Sequence, residues 1–363
     1  MDRRLIIFIL AAVLAVSCEN TIQYVYDLND GQITILGQFS TMDTEHSLFL
    51  SMSYPDRIDS LPGATVNCYV NGELHRATAI PPDYYEEIDW NTGDTYLVPY
   101  RNPYTRYDFQ AEFKPGDEVR IEASKGGQMA WAEVIVPQPA TLIAVDTATV
   151  VKSSVYQDLD GSETYEQEYL EFTARLRDVK GADSYFTMNG EMTYTIRFSS
   201  EEEEESGEEI WGPERIDYET FHDLILEDGY SSGIGDLFED LLPVNAMHCF
   251  SDKAFKDDEA SVHFYIPSYY FRRGAFYYYD ADKIEVERLF RVNLSSIDRS
   301  FYNYLRALNN MECYGFDVSP IIEPTMLPGN VNDGYGMVSI AADSFVDVPF
   351  GTETYYREDF IYY

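Results

Sequence analysis

Basic residues are scarce in this sequence: 25 Lys and Arg stand against 64 Asp and Glu, for a formal charge of −39. A chain so acidic repels nucleic acid and anionic lipid surfaces, so no nucleic-acid partner is expected, and basic or divalent-cation partners are favoured. Histidine is nearly as rare. The five residues His46, His75, His222, His248 and His263 show no metal-ligand spacing. Cysteine occurs four times, without a Cys-x-x-Cys pair or a Cys/His pattern, so neither a metal site nor a cofactor is expected. Carboxylates are so abundant that a catalytic pair could be picked out anywhere, which leaves a glycosidase unsupported. Sustained helical periodicity is lacking as well. So are apolar runs long enough to cross a bilayer: Leu5 to Val16 rises only about 18 Å, against a hydrocarbon core of about 30 Å.

What that short run does form is the centre of an export signal. Arg3 and Arg4 precede it, and Ala15-Val16-Ser17-Cys18 leads small and apolar residues straight into a cysteine. This is similar to the lipobox of bacterial lipoproteins, with Ala15 where leucine is more usual. It implies a diacylglycerol thioether on Cys18, cleavage before it, and acylation of the new amine by a chain such as palmitate. Residues 1–17 are thus the signal peptide and 18–31 a lipidated tether. Residues 1–17 carry +1 (Arg3 and Arg4 against Asp2), so the exported chain of 363 − 17 = 346 residues carries −40. That length suits two domains.

Alternation of period two begins at Ile33 and is strong. Ile33, Ile35, Gly37 and Phe39 share a face, as do Leu48, Leu50, Met52 and Tyr54, then Ala64, Val66, Cys68 and Val70. Val119, Ile121 and Ala123 follow, then Ala132, Val134 and Val136, punctuated by Pro115-Gly116 and Gly126-Gly127. The pattern predicts an immunoglobulin-like β-sandwich over residues 32–140. A second β-rich domain is expected over 141–363, with one or two short helices. Leu170, Phe172, Ala174 and Leu176 face one way, and Tyr169, Glu171, Thr173 and Arg175 the other. The helix is placed near 297–309, with Ser295 and Asp298 as a capping box and Phe301, Tyr304, Leu305 and Leu308 as its apolar stripe. A second short helix is placed at 236–242. The run Glu201–Glu205, continued by Glu208 and Glu209, predicts a hydrated acidic loop over 200–215. It lacks the ligand spacing of an EF-hand.

Several residues invite chemistry. Cys68 reads as a buried small hydrophobe. Cys249 and Cys313 are a candidate disulfide in an oxidising compartment. Gly229-Tyr230-Ser231-Ser232-Gly233 matches G-x-S-x-G, yet Leu226-Glu227-Asp228 before it makes a poor buried strand, and a flexible loop is preferred to a hydrolase elbow. If Ser231 were a nucleophile, Ser231→Ala would abolish some hydrolysis. The tyrosine content, 31 residues, suits strands and also ring-stacking surfaces. The segment with Tyr269, Tyr270, Arg272 and Arg273, followed by Tyr277 and Tyr278, is the candidate binding surface: an aromatic hairpin that is basic in an otherwise acidic chain. A plain tyrosine-rich sheet edge explains it equally well.

In the C-terminal half, Phe250-Ser251-Asp252, Val292 to Ile297, Tyr302 to Leu305, Glu323-Pro324-Thr325, Gly329-Asn330-Val331 and Gly334 to Val338 follow one another as an ordered set. With the lipobox and Pro115-Gly116…Val136-Pro137, the chain resembles a Bacteroidetes lipoprotein family catalogued as domain of unknown function 4249 (DUF4249). The resemblance implies an outer-membrane lipoprotein, on a face left open. It further implies a non-enzymatic accessory or substrate-capture partner of a TonB-dependent transporter. The alternative is an independent module binding glycan, peptide or another small ligand, and a serine hydrolase using Ser231 is a remote third.

Overall fold

The computed structural model describes residues 31–54, 56–88, 95–99, 102–158, 161–179, 183–200, 205–220, 223–226, 245–272, 281–314 and 327–356. Cys18, the signal and tether, Ser231 and the helix placed at 236–242 lie outside these residues.

The chain is mainly β. The first part carries β1 (Gln32–Ser40), β2 (Glu45–Ser53), β3 (Ile58–Ser60), β4 (Thr65–Val70), β5 (Glu73–Arg76), β6 (Thr78–Ala79), β7 (Tyr84–Ile88), β8 (Thr95–Pro99), β9 (Thr105–Gln110), β10 (Glu118–Lys125) and β11 (Gln128–Ile135). The second carries β12 (Thr141–Asp158), β13 (Gly161–Arg177), β14 (Tyr185–Ser200), β15 (Glu205–Ile216), β16 (Cys249–Ser251), β17 (Glu259–Pro267), α1 (Tyr269–Arg272), β18 (Lys283–Ile297), α2 (Arg299–Tyr314) and β19 (Tyr335–Tyr356).

One ten-stranded sheet runs through both parts in the order β15-β14-β18-β19-β1-β2-β9-β6, with β16 and β3 on its margins. A four-stranded sheet, β11-β10-β4-β5, faces one half of it. The alternating side chains meet between them: Ile33, Ile35, Leu48, Leu50, Val66, Cys68, Val119, Ile121 and Val134 form one core. Each such aliphatic side chain contributes about 1.5–3 kcal/mol on burial. A three-stranded sheet, β12-β13-β17, faces the other half. Phe172, Leu176, Phe264 and Ile266 there pack on Phe186, Met188, Phe290 and Val292.

The expected boundary at residue 140 is bridged by β19. Its first half pairs in parallel with β1, Gly336 opposite Ile35 and Ile340 opposite Phe39. Its second half pairs antiparallel with β18. Val338 and Ile340 therefore belong to the first core, and Val346 and Phe350 pack against the second. Met337 points to the opposite face, where it meets Phe301, Tyr302 and Leu305 of α2.

Three local expectations are corrected. The acidic segment 200–215 is strand from Glu205 onward, paired with β14 from Ser200↔Glu205 to Gly190↔Ile216. Glu208, Glu209 and Glu214 are exposed on the paired strand, Arg197 binds Glu208 at 2.6 Å, and residues 201–204 lie outside the described residues. The N-cap of α2 is Asp298, whose Oδ1 accepts from Ser300 N at 2.8 Å and Phe301 N at 3.1 Å. Ser295 instead donates to Asp343 across the sheet. The aromatic stretch at 269 leaves the sheet after Pro267 as the single turn α1, with Phe271 N donating to Ser268 O at 3.1 Å and the Phe271 ring entering the core.

Gly336 has φ +114°, and a Cβ there would run into the carbonyl oxygen of Ile35. Gly126 also has positive φ, +62°, but has open space around it. Gly336→Ala should therefore destabilise by more than about 3 kcal/mol and Gly126→Ala by about 1 kcal/mol. Equal losses in urea denaturation would show that backbone conformation alone, without the close approach of β1, accounts for both.

His248 is buried against Tyr218, ring centroids 3.8 Å apart. Burial, and then the charge of Arg215, lowers its pKa to about 3. The neutral imidazole is the folded form. The stability it lends is present above about pH 6.5 and is lost as pH falls toward about 3, by about 1.4 kcal/mol per pH unit. His248 adopts φ +48°, which asparagine tolerates. His248→Asn should flatten the stability profile between pH 7 and 5, and an unchanged slope would place the titration elsewhere.

Candidate functional site

The outer face of β13 and β17 carries a connected set of polar and aromatic groups. Alternation turns Phe172, Ala174, Val262 and Phe264 inward. It turns Tyr169, Glu171, Thr173, His263 and Tyr265 to the other face, with Glu171 opposite Tyr265 and Thr173 opposite His263; there Glu171, Thr173 and His263 are half-buried, and Tyr169 and Tyr265 are buried by their neighbours. Tyr265 Oη donates to Glu171 Oε1 at 2.8 Å, and His263 Nδ1 lies 3.4 Å from the same oxygen. A backbone bridge, 2.8 Å in both directions, ties Glu219 to Tyr265. Tyr169 Oη then donates to the Glu219 carboxylate at 3.3 Å. Lys152 Nζ sits 4.1 Å from the centre of the Tyr265 ring. Burial, reinforced by Glu171, pushes the Tyr265 hydroxyl up to about 12.

Beside this face opens a cleft of about 490 Å³, lined by Thr220, Asp223, Leu224, Ser261, His263 and Tyr265 among others. Asp223 holds its wall in place. Its Oδ2 accepts from His263 N at 2.8 Å, and its Oδ1 accepts from Ile225 N and Leu226 N. Leu224 stands 78% exposed on the rim.

Of the candidate binding residues, Tyr269 is exposed and stacks on half-buried Tyr270 with centroids 4.5 Å apart. The pair follows Pro267, which lies opposite Tyr169 in the sheet. Arg272 ends α1. Its side chain, and Arg273, Tyr277 and Tyr278, lie outside the described residues. Of the candidate disulfide, Cys249 is a buried thiol, and the side chain of Cys313 lies outside the described residues. Its sulfur lies 3.8 Å from Asn245 Oδ1 and 3.7 Å from Asn309 Nδ2. These two asparagines bind each other at 2.7 Å and knit the start of β16 to α2. Cys68 is buried, and burial raises its thiol to about 12.

The histidines are dispersed. His46 packs among Phe39, Phe109 and Phe113, His75 binds Gln110 O, and His222 lies outside the described residues. Among the described residues no group of three His, Cys, Asp or Glu side chains converges on a metal position. Thr173 Oγ1 and Glu171 both approach the same His263 nitrogen, Nδ1. A nucleophilic relay needs its two partners on opposite ring nitrogens, so this trio orders a surface and does not activate the hydroxyl. What the arrangement offers is acceptor oxygens held in fixed directions beside aromatic rings. Such a set suits hydroxyl-rich or cationic ligands.

Sequence alternation places Tyr169 and Glu171 on the face away from Phe172, and His263 on the polar face of its strand. It had no means of showing that Glu219 and Asp223, 40 and more residues away along the chain, would join them.

Residues 19–344 match a family model described as a domain of unknown function (DUF4249). No curated protein matches the chain. Among the described residues no helix is long and apolar enough to cross a membrane.

The Tyr265–Glu171 pair can be weighed by a double-mutant cycle of Tyr265→Phe with Glu171→Gln. A coupling of about 1 kcal/mol is expected. Additive losses would mean that hydroxyl and carboxylate act independently.

Proposed function

Since the chain belongs to the DUF4249 family, we propose that it is a lipid-anchored protein of the bacterial cell envelope, serving as a non-enzymatic accessory or capture partner of a TonB-dependent outer-membrane transporter. The observation that carries the anchoring is the junction at Cys18: a charged n-region, twelve apolar residues and a lipobox-like end, with the family match starting one residue later. Cys18 is then the lipid-bearing residue, and two or more acyl chains give stable attachment where one alone is marginal. The transporter partnership rests on the family resemblance. The Tyr–Glu face with Tyr269 and Tyr270 is the surface that would meet cargo or barrel.

A second reading is favoured by that same face: an independent module that binds a glycan or peptide without a barrel.

The test is a tagged pull-down from mildly solubilised outer membrane, with Cys18→Ala alongside. Wild type should fractionate with membranes and Cys18→Ala with the soluble fraction. A transporter recovered in near-equal amount supports the accessory role. Recovery of the lipoprotein alone favours the independent module, and an unchanged membrane fraction for Cys18→Ala removes the anchor.

A further inference from the structure

We propose that the outer edge of β15 is a docking site for an extended, basic segment of a partner protein, which adds to the ten-stranded sheet as a further strand. The inference stands apart from the lipid anchor and the Tyr–Glu face. It rests on how this edge is built.

Among the described residues β15 pairs only with β14, and it ends the sheet. Every residue from Ser206 to Arg215 is exposed except half-buried Gly207, so neither face of the strand is covered. Ile210 is 67% and Trp211 45% exposed, and as neighbours in a strand they project to opposite faces. Folded proteins usually blunt such edges with charged side chains, proline, bulges or a covering element, and the glutamates of β15 guard it against acidic strands, its own copies included. Here the bulge opposite Met192 and Tyr194 and the Gly212-Pro213 step come only after Trp211. From Glu205 to Ile210 the pairing is one to one, Ser200↔Glu205 through Thr195↔Ile210. Gly207, the weak point of that stretch, is covered by the Phe198 ring lying over its missing side chain. Aromatic cover of an edge glycine keeps a strand regular. The edge is therefore straight where a template needs to be straight.

Charge selects the occupant. β15 holds four glutamates against one arginine. Edge-to-edge pairing of two copies would set glutamates against glutamates, and like charges directly opposed are destabilising. A segment bearing Lys or Arg at alternate positions reverses that sign. Strand addition supplies the backbone hydrogen bonds, and Ile210 and Trp211 offer apolar contact on either face. An acidic segment is repelled, and a neutral one gains the backbone bonds and apolar contact without the charge attraction.

The probe is a fluorescently labelled nonapeptide of alternating lysine and valine, titrated against the full exported chain and read by anisotropy. Its counterpart is the same peptide N-methylated along one edge, which keeps the charge but cannot pair through that edge. The unmodified peptide should bind at low ionic strength and weaken as salt rises. N-methylation should weaken it at least tenfold. Glu209→Lys/Glu214→Lys should also weaken it at least tenfold. Glu112→Lys/Glu118→Lys, the same charge change far from β15, should leave binding within about twofold. Equal binding of the two peptides, equal effects of the two double variants, or no binding of the unmodified peptide would each overturn the proposal.

Discussion

The fold hangs on one place in β19, where the strand exchanges one neighbour for another. Up to Ala341 it lies beside β1, and from Ala342 it lies beside β18. Asp343 sits at this hand-over. Its Oδ2 accepts from Ser40 Oγ of β1 at 2.5 Å, and its other oxygen accepts from Ser295 of β18. A single carboxylate thus ties the first and last strands of the chain to the second sandwich. The parallel approach just before it is possible because Gly336 has no side chain to meet Ile35. Without that closure, the four-stranded and three-stranded sheets would each lose the layer they pack upon.

The residues around this strand show why a set of small and polar positions runs through the C-terminal half. Asn330 imitates a strand with its side chain: Nδ2 donates to Val338 O at 2.7 Å, and Oδ1 accepts from Val338 N at 2.9 Å. Asn332 exchanges backbone hydrogen bonds with Trp131, which ties β11 to the entry of β19. Ser296 Oγ accepts from Ala140 N at 2.9 Å, and Ser344 Oγ accepts from Leu142 N at 3.1 Å, so β12 is anchored where it leaves the first sandwich. Each is a seam in the architecture. None is a reactive group, and function is accordingly sought on the faces that these seams hold in place.

Two surfaces stand out on that frame, and they differ in kind. The outer face of β13 and β17 is ordered by its own contacts, Tyr265 to Glu171 and Tyr169 to Glu219, before any ligand arrives. The edge of β15 is exposed from Glu208 to Arg215, with Glu208 held by Arg197 and Glu209 by the Trp211 indole. The acidity that looks like mere solubility in the composition is thereby divided: part is consumed in hydrogen-bonded pairs, and part remains a field around an open strand.

By itself the sequence determined the local facts. The period-two alternation assigned inward faces, as with Ile33, Ile35, Phe172 and Val262, because a strand's side chains must point to opposite sides. The stripe Phe301, Tyr304, Leu305 and Leu308 announced α2, although the capping box placed its start at Ser295 where Asp298 is the cap. Charge density misled at 205–215, since pairing with β14 and the ring of Phe198 outweigh glutamate repulsion in a strand whose side chains reach water. Only the tertiary structure decided that β19 belongs to both sandwiches, that Cys249 sits in an amide cluster, and that Glu219 and Asp223 meet Tyr169 and His263. Such meetings depend on register and strand order between distant segments, and a one-dimensional pattern carries the face of a residue without its neighbour.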